Sequence, residues 1–150
     1  MHTLEEQIDL DVPLQVAWEQ LHRVHQYPEF VEGVKHAHAH GNHRAHLETE
    51  VHGHERVFET EITDRGGNQV MAWRTLDGAH LNGTVVLRQL DAGSTQLQVR
   101  VEYEPEAVHQ TYGGPRGFAQ SGAIERAVHG DLEHFKELVE ADRPLPGGGR

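Results

Sequence analysis

Histidine and tyrosine are the residues of this chain best placed to do chemistry. Fourteen of the 150 residues are histidine and none is cysteine. The run His36-Ala37-His38-Ala39-His40 puts three imidazoles on one side of a strand, because residues i, i+2 and i+4 share a face. If Gly41-Asn42 makes a two-residue hairpin, His43 pairs directly with His40 on that face. Neutral imidazoles so arranged can chelate Zn²⁺ or Ni²⁺. The next positions on the face are then Ala45 and Leu47, so no carboxylate completes the set. A solvated hairpin tip is the simpler expectation for His36, His38, His40 and His43, and no metal or other cofactor is assigned. His52 and His54 flank a glycine as turn residues. Tyr27, Tyr103 and Tyr112 could offer phenol donors to a ligand carbonyl, although a buried tyrosine usually satisfies its hydroxyl locally. General acid–base catalysis needs a group of tuned pKa. The inward positions supply Thr60, Thr75 and tyrosines, but no Arg, Asp or His, so no catalytic residue is assigned. Arg74, next to Trp73, points to the opposite face.

Two kinds of element must position these groups. Glu6 to Asp11 alternates as a strand. Leu14 to His25 then carries Leu14, Ala17, Trp18, Leu21 and Val24 at helical spacing, with Pro13 suited to the first turn and Pro28 expected to stop the helix. Glu29 to Glu32 reads as a second short turn. From Gly33 the period changes to two. Val34–His40, His43–His52, Arg56–Asp64, Gln69–Leu76, Leu81–Leu90 and Thr95–Tyr103 read as six strands. Gly41-Asn42, Gly66-Gly67-Asn68 and Asp91-Ala92-Gly93-Ser94 supply turn chemistry, with a less certain break at His52-Gly53-His54. Short connections of this kind imply an antiparallel meander.

The last third reads as one helix, about Arg116 to Asp142. Ile124, Val128, Leu132, Phe135, Leu138 and Val139 form its apolar stripe. Glu125, Arg126, Asp131, Glu133, Lys136, Glu137 and Glu140 are read as its polar face. Such a stripe must be buried, and the sheet is the surface on offer. Gly130 inside the helix suggests close backbone approach. Gly113-Gly114 gives φ freedom to the loop before it. Residues 143–150 are Pro/Gly-rich and expected to be disordered, leaving 1–142 as a single domain.

Composition limits the partners. The formal net charge is −11, with 24 acidic and 13 basic residues. No cluster of Lys and Arg is present to neutralise phosphates, so no nucleic-acid partner is expected. Protonating fourteen imidazoles would outweigh the negative charge, so surface electrostatics should depend on pH between about 5 and 7. Mean hydropathy is −0.65. No apolar run is long enough to span a membrane. The opening residues lack the features of a secretory signal, and a cytoplasmic location is expected.

Taken in order, the segments resemble the SRPBCC superfamily, the helix-grip fold of START domains, the birch-pollen allergen and polyketide cyclase/dehydrase-like proteins. Gln26-Tyr27-Pro28-Glu29-Phe30-Val31-Glu32-Gly33-Val34 is similar to the segment after the first helix in coenzyme-Q-binding and cyclase-like members. Ala72-Trp73-Arg74-Thr75 resembles their tryptophan-bearing strand. Gly83-Thr84-Val85-Val86-Leu87 and Ser94-Thr95-Gln96-Leu97 resemble the paired strands that follow. Tyr103-Glu104-Pro105 and Asp131 to Glu140 resemble the end of the pattern. The resemblance implies an α+β fold: a seven-stranded antiparallel sheet wrapped around the long C-terminal helix, with two short helices after the first strand. It implies a cavity for a lipid, quinone or polyketide-like molecule. The expected lining is Tyr27, Phe30, Phe58, Ile62, Met71, Trp73, Val85, Leu87, Val99, Val101, Tyr103, Tyr112, Phe118, Ile124 and Val128. The alternatives are a cyclase/dehydrase-like enzyme and a protein-interaction module of the ribosome-associated type. A protein partner or homo-oligomer stays open.

Overall fold

A computed structural model of the chain describes residues 2–41, 43–51, 53–65, 69–76, 81–104, 106 and 123–141. The alternating segments become seven strands: β1 (His2–Leu10), β2 (Val34–Ala39), β3 (Arg44–Val51), β4 (His54–Arg65), β5 (Val70–Thr75), β6 (Leu81–Asp91) and β7 (Ser94–Tyr103). They form one antiparallel sheet in the order β1-β7-β6-β5-β4-β3-β2. Six consecutive strands meander, and β1 returns to pair with the last of them. One face is apolar and the other wet, as an antiparallel sheet covered on one side requires. Phe58, Met71, Val85, Leu97 and Val99 are buried on the inner face. Glu55, Arg74, Gln98 and Arg100 are exposed or half-exposed on the outer one.

Helices α1 (Leu14–Leu21) and α2 (Ala123–Ala141) pack with the sheet. The tightest part of the core lies where α2 ends. Phe135 and Val139 meet Leu10, Val12, Leu87 and Leu97 there, each at most 1% exposed. Polar ties close the same end. Lys136 Nζ donates to the Asp9 carbonyl at 2.8 Å and to Glu140 Oε2 at 2.6 Å. The Asp11 amide donates to Glu140 Oε2 at 2.8 Å. Thr95 Oγ1, fully buried, donates to the Val12 carbonyl at 2.9 Å. None of the described helices is long and apolar enough to cross a membrane.

Local structure departs from the sequence expectation in four places. First, α1 ends at Leu21 instead of running to His25, because Arg23 leaves helical geometry at φ −85°, ψ 76°. Buried Gln20 organises the bend. Its amide donates to Gln26 Oε1 at 2.7 Å, and its oxygen accepts from Arg23 at 3.0 Å. A helical period through Val24 therefore concealed a change of axis.

Second, the next turn is a 3-10 helix over Val24–Glu29 with Pro28 inside it, not a turn over Glu29 to Glu32. Pro28 gives this turn no amide of its own, and the turn closes through the Phe30 and Val31 amides, which both return to the Tyr27 carbonyl.

Third, the histidine hairpin has a different register. Ala39 pairs with Ala45 and His38 with His46, while the His40 amide donates to the Arg44 carbonyl. The connection therefore spans residues 41–43, opened by Gly41 at φ 79°, and His43 does not pair with His40. Gly53, at φ 77°, makes the tighter turn, between Val51 and His54.

Fourth, nothing lies within 4 Å of the Cβ position of Gly130 among the described residues. The glycine serves no close approach. The N-terminal part of the expected helix, residues 116–122, lies outside the described residues. So do Gly66-Gly67-Asn68, Gly113-Gly114 and the tail 143–150.

The open space at Gly130 makes Gly130→Ala a stabilising change, because glycine costs about 1 kcal/mol against alanine inside a helix. Denaturant unfolding of the variant should show a raised midpoint at unchanged slope.

Candidate ligand cavity

The sheet curves past the width of a single helix, and the space left between them is a cavity of about 360 Å³. Each layer contributes through its own periodicity. From β4 come Phe58, Thr60 and Ile62, at steps of two. From β5 come Met71, Trp73 and Thr75. Strands β6 and β7 add Val85, Val99 and Val101. The 3-10 segment adds Tyr27 and Phe30, and α2 adds Ile124 and Val128. Eleven of the fifteen residues expected at a pocket therefore share one cavity wall. Leu87 does not; it is 1% exposed within the packed core. Tyr103 also stands apart, at the end of the sheet with its ring 5.7 Å from that of His2. Tyr112 and Phe118 lie outside the described residues.

Trp73 owes its place to Gly83. The two are paired directly across β5 and β6, and a Cβ on residue 83 would clash with the indole ring at its Cζ2. Glycine leaves the ring room to sit against the neighbouring strand. Phe30 is held edge-on by Tyr27 at 5.4 Å and Phe135 at 5.0 Å between ring centres. These pairs fix the junction between the 3-10 helix and α2.

The polar atoms of the wall are few and mostly committed. Tyr27 donates its hydroxyl to the Leu21 carbonyl at 2.6 Å. Burial, with the Asp64 charge second, pushes its phenol well above the ordinary value. Tyr27 thus acts as a fixed brace. Thr49 Oγ1 donates to the Arg56 carbonyl at 3.0 Å. Thr75 Oγ1 exchanges hydrogen bonds with the Leu81 carbonyl and amide, both at 3.2 Å.

Asp131 is the residue that the sequence reading misplaced. Its residue type places it on the polar face of the helix, where no inward Asp is expected. Asp131 lines the cavity, and its Oδ1 accepts the Glu32 amide at 2.9 Å. Its spacing was the available signal. Ile124, Val128, Asp131 and Phe135 follow steps of four, three and four, so Asp131 lies within the apolar stripe. Burial pushes its pKa up to about 7, against the lowering effect of the Glu32 amide.

The hairpin histidines His36, His38 and His46 lie on the other side of the sheet. His38 and His46 stack with ring centres 4.7 Å apart. Glu59 accepts from His46 Nδ1 at 2.6 Å and lies 3.3 Å from His40 Nδ1, and these bonds hold its carboxyl below the usual range. Glu48 is 3.5 Å from His46 Nε2. The hairpin face thus carries carboxylates, contrary to the sequence expectation. Shifting the register by one residue exchanges Ala45 and Leu47 for His46 and Glu48 on that face. Among the described residues no group of three or more His, Asp or Glu is arranged to hold a metal ion.

Comparison with known proteins agrees with this architecture. A family model described as polyketide cyclase/dehydrase and lipid transport matches residues 10–130. An uncharacterised 17.2 kDa protein of Streptomyces lincolnensis is 30% identical over 151 residues, covering all of this chain and 97% of that one. Among solved structures, the Zhui aromatase/cyclase of Streptomyces sp. R1128 superposes with a TM-score of 0.77 at 19% identity, covering 98% of each chain. A START superfamily protein of Mycobacterium smegmatis gives 0.73 at 17% identity, covering 94% of this chain and 99% of its own. At these identities the structural matches speak to the fold.

Two outcomes test this wall. Gly83→Ala should destabilise by about 1–3 kcal/mol through overpacking and change the tryptophan emission as the Trp73 ring is displaced. For Asp131, the folded pKa of about 7 lies above the ordinary value, so the folded state binds more protons between about pH 4 and 7. Stability therefore falls as pH rises through that window. Asp131→Asn stays neutral and keeps an oxygen for the Glu32 amide. Thermal midpoints of variant and wild type should lie closest near pH 4, separate as pH rises toward 7, and stay apart above it, with the variant higher. Parallel curves would show that ionising Asp131 costs nothing.

Proposed function

The chain belongs to the polyketide cyclase/dehydrase and lipid transport family, within the SRPBCC superfamily, and from that membership we propose that it binds one small hydrophobic molecule between its sheet and α2. The observation carrying this reading is the cavity: about 360 Å³ with walls mainly of aliphatic and aromatic side chains. That is within the size range of small-molecule sites, which are predominantly apolar with a few placed polar groups. A lipid, quinone or polyketide-like molecule suits such walls. Burying its apolar surface would contribute about 25 cal/mol per Å² before the costs of association.

A second reading rests on Asp131. A carboxyl in the cavity wall with a pKa of about 7 suits general acid–base catalysis near neutral pH, as a cyclase- or dehydrase-like reaction on a poly-ketone would require. Tyr27 adds nothing to this chemistry, because its hydroxyl is already given to Leu21.

Binding can be followed with 1-aminoanthracene, a neutral probe whose emission rises in apolar surroundings, alongside native mass spectrometry for co-purified lipid. Val128→Trp, which fills the cavity from α2, should weaken probe binding by more than about tenfold while circular dichroism stays native. Equal binding by a folded Val128→Trp protein would place the probe elsewhere and remove the proposal's support. For the enzyme reading, Asp131→Asn should abolish turnover of a poly-ketone substrate and leave probe binding intact.

A further inference from the structure

Three threonine hydroxyls border the cavity, and two have partners: Thr49 bonds Arg56, and Thr75 bonds Leu81. Thr60 differs. The residue is 4% exposed, and its Oγ1 is buried with no hydrogen-bond partner among the described residues. A buried hydroxyl left unpaired carries its full desolvation cost. Valine has nearly the same shape and would fill the position without that cost.

The surroundings explain why the hydroxyl stays unpaired. Thr60 sits mid-strand on β4 between Phe58 and Ile62, so the adjacent inward side chains on its own strand are hydrocarbon. Across the sheet it faces Ala45 on one side and Thr75 on the other. Ala45, 1% exposed, has no polar side-chain atom, and Thr75 is committed to Leu81. The strand amides and carbonyls beside it are paired in the ladders. In this rotamer Oγ1 has essentially no accessible surface, and the open space of the cavity is the remaining direction into which it can turn. One χ1 step between staggered wells exchanges the hydroxyl and methyl of a threonine, so Oγ1 can be turned to a bound molecule without moving the strand.

We infer that Thr60 is the hydrogen-bonding anchor of the cavity, and that its ligand is an apolar ring system or chain carrying an oxygen, keto or phenolic, at the point that meets β4. This inference rests on the cavity being a ligand site. It adds that the sheet side of the pocket discriminates between an oxygenated molecule and its hydrocarbon counterpart. Rejection of a ligand that leaves a buried polar group unpaired is a stronger form of selectivity than fit to an apolar wall. The anchor positions the ligand and takes no part in bond making.

The test uses two probes that share a three-ring skeleton and differ only at one carbon, a carbonyl in 9-fluorenone and a methylene in fluorene. Each is titrated as a competitor of 1-aminoanthracene on wild type, Thr60→Val and Thr60→Ser. The readout is the preference for fluorenone over fluorene. Thr60→Val should reduce it about tenfold, with fluorene affinity nearly unchanged. Thr60→Ser, which keeps the hydroxyl, should retain the preference to within about twofold. The thermal midpoint of ligand-free Thr60→Val should equal or exceed that of wild type. If both probes bind but Thr60→Val leaves the preference unchanged, the anchor role is overturned and the pocket stands. If neither competes, the pocket reading fails, and the anchor with it. A lowered midpoint in ligand-free Thr60→Val would show that Oγ1 already has a partner, which also overturns the inference.

Discussion

The fold depends on one geometric mismatch: a single helix cannot fill the concave face of a seven-stranded sheet. Seven strands at about 4.8 Å spacing span roughly 29 Å, whereas a helix with its side chains is about 10 Å across. The sheet must curl, and even then close packing is reached over only part of its length. Here it is reached at the C-terminal end of α2, where Phe135 and Val139 meet Leu10, Leu87 and Leu97. The clasp of Lys136 and Glu140 onto the backbone of Asp9 and Asp11 secures that end. Toward Ile124 the layers separate, and the cavity is the volume left between them. Stability and capacity are thus divided along one helix.

This division explains why the aromatic residues of the wall need help from small ones. A hollow wall lacks opposing atoms to press side chains into place, so each large ring is fixed from the side. Trp73 is seated over Gly83. Phe30 is held between Tyr27 and Phe135, and Tyr27 is tethered through its hydroxyl to Leu21. The bend after α1 serves the same end. By leaving the helical path at Arg23, the chain brings Tyr27 and Phe30 over the cavity. A straight helix to His25 would have carried them past it.

The fold was legible in the sequence because both periodicities are strong and the turns between strands are short. The inward residues of β4 and β5, Phe58, Ile62, Met71 and Trp73, could be read from alternation alone. The site was legible only in its apolar part. At Asp131 residue type and position conflict: a carboxylate belongs on a polar face, but its spacing from Ile124 and Val128 puts it on the cavity side. The histidine face went astray through a single residue of hairpin register, which no alternation pattern reports when both Ala and His occupy the strand. Thr60 was seen to point inward, but that its hydroxyl lacks a partner depends on Ala45 and Thr75 across the sheet. Such neighbours are set by register and not by local sequence.

The distribution of polar atoms over the two faces carries the functional argument furthest. On the outer face ionisable side chains pair freely: His46 with Glu59, Arg74 with Glu61 and Arg100 with Glu102. They are solvated, and such pairs contribute little each. On the inner face every polar side chain has a desolvation cost, and the chain has kept few. Tyr27, Thr49 and Thr75 recover that cost through backbone partners. Asp131 recovers part of it from the Glu32 amide, and burial raises its pKa instead. Thr60 recovers none among the described residues. An apolar substitute for Thr60 would serve packing at least as well, so packing alone does not account for its hydroxyl, whereas an apolar residue 131 would strand the Glu32 amide. A bound molecule with a polar atom at the sheet wall would account for the threonine.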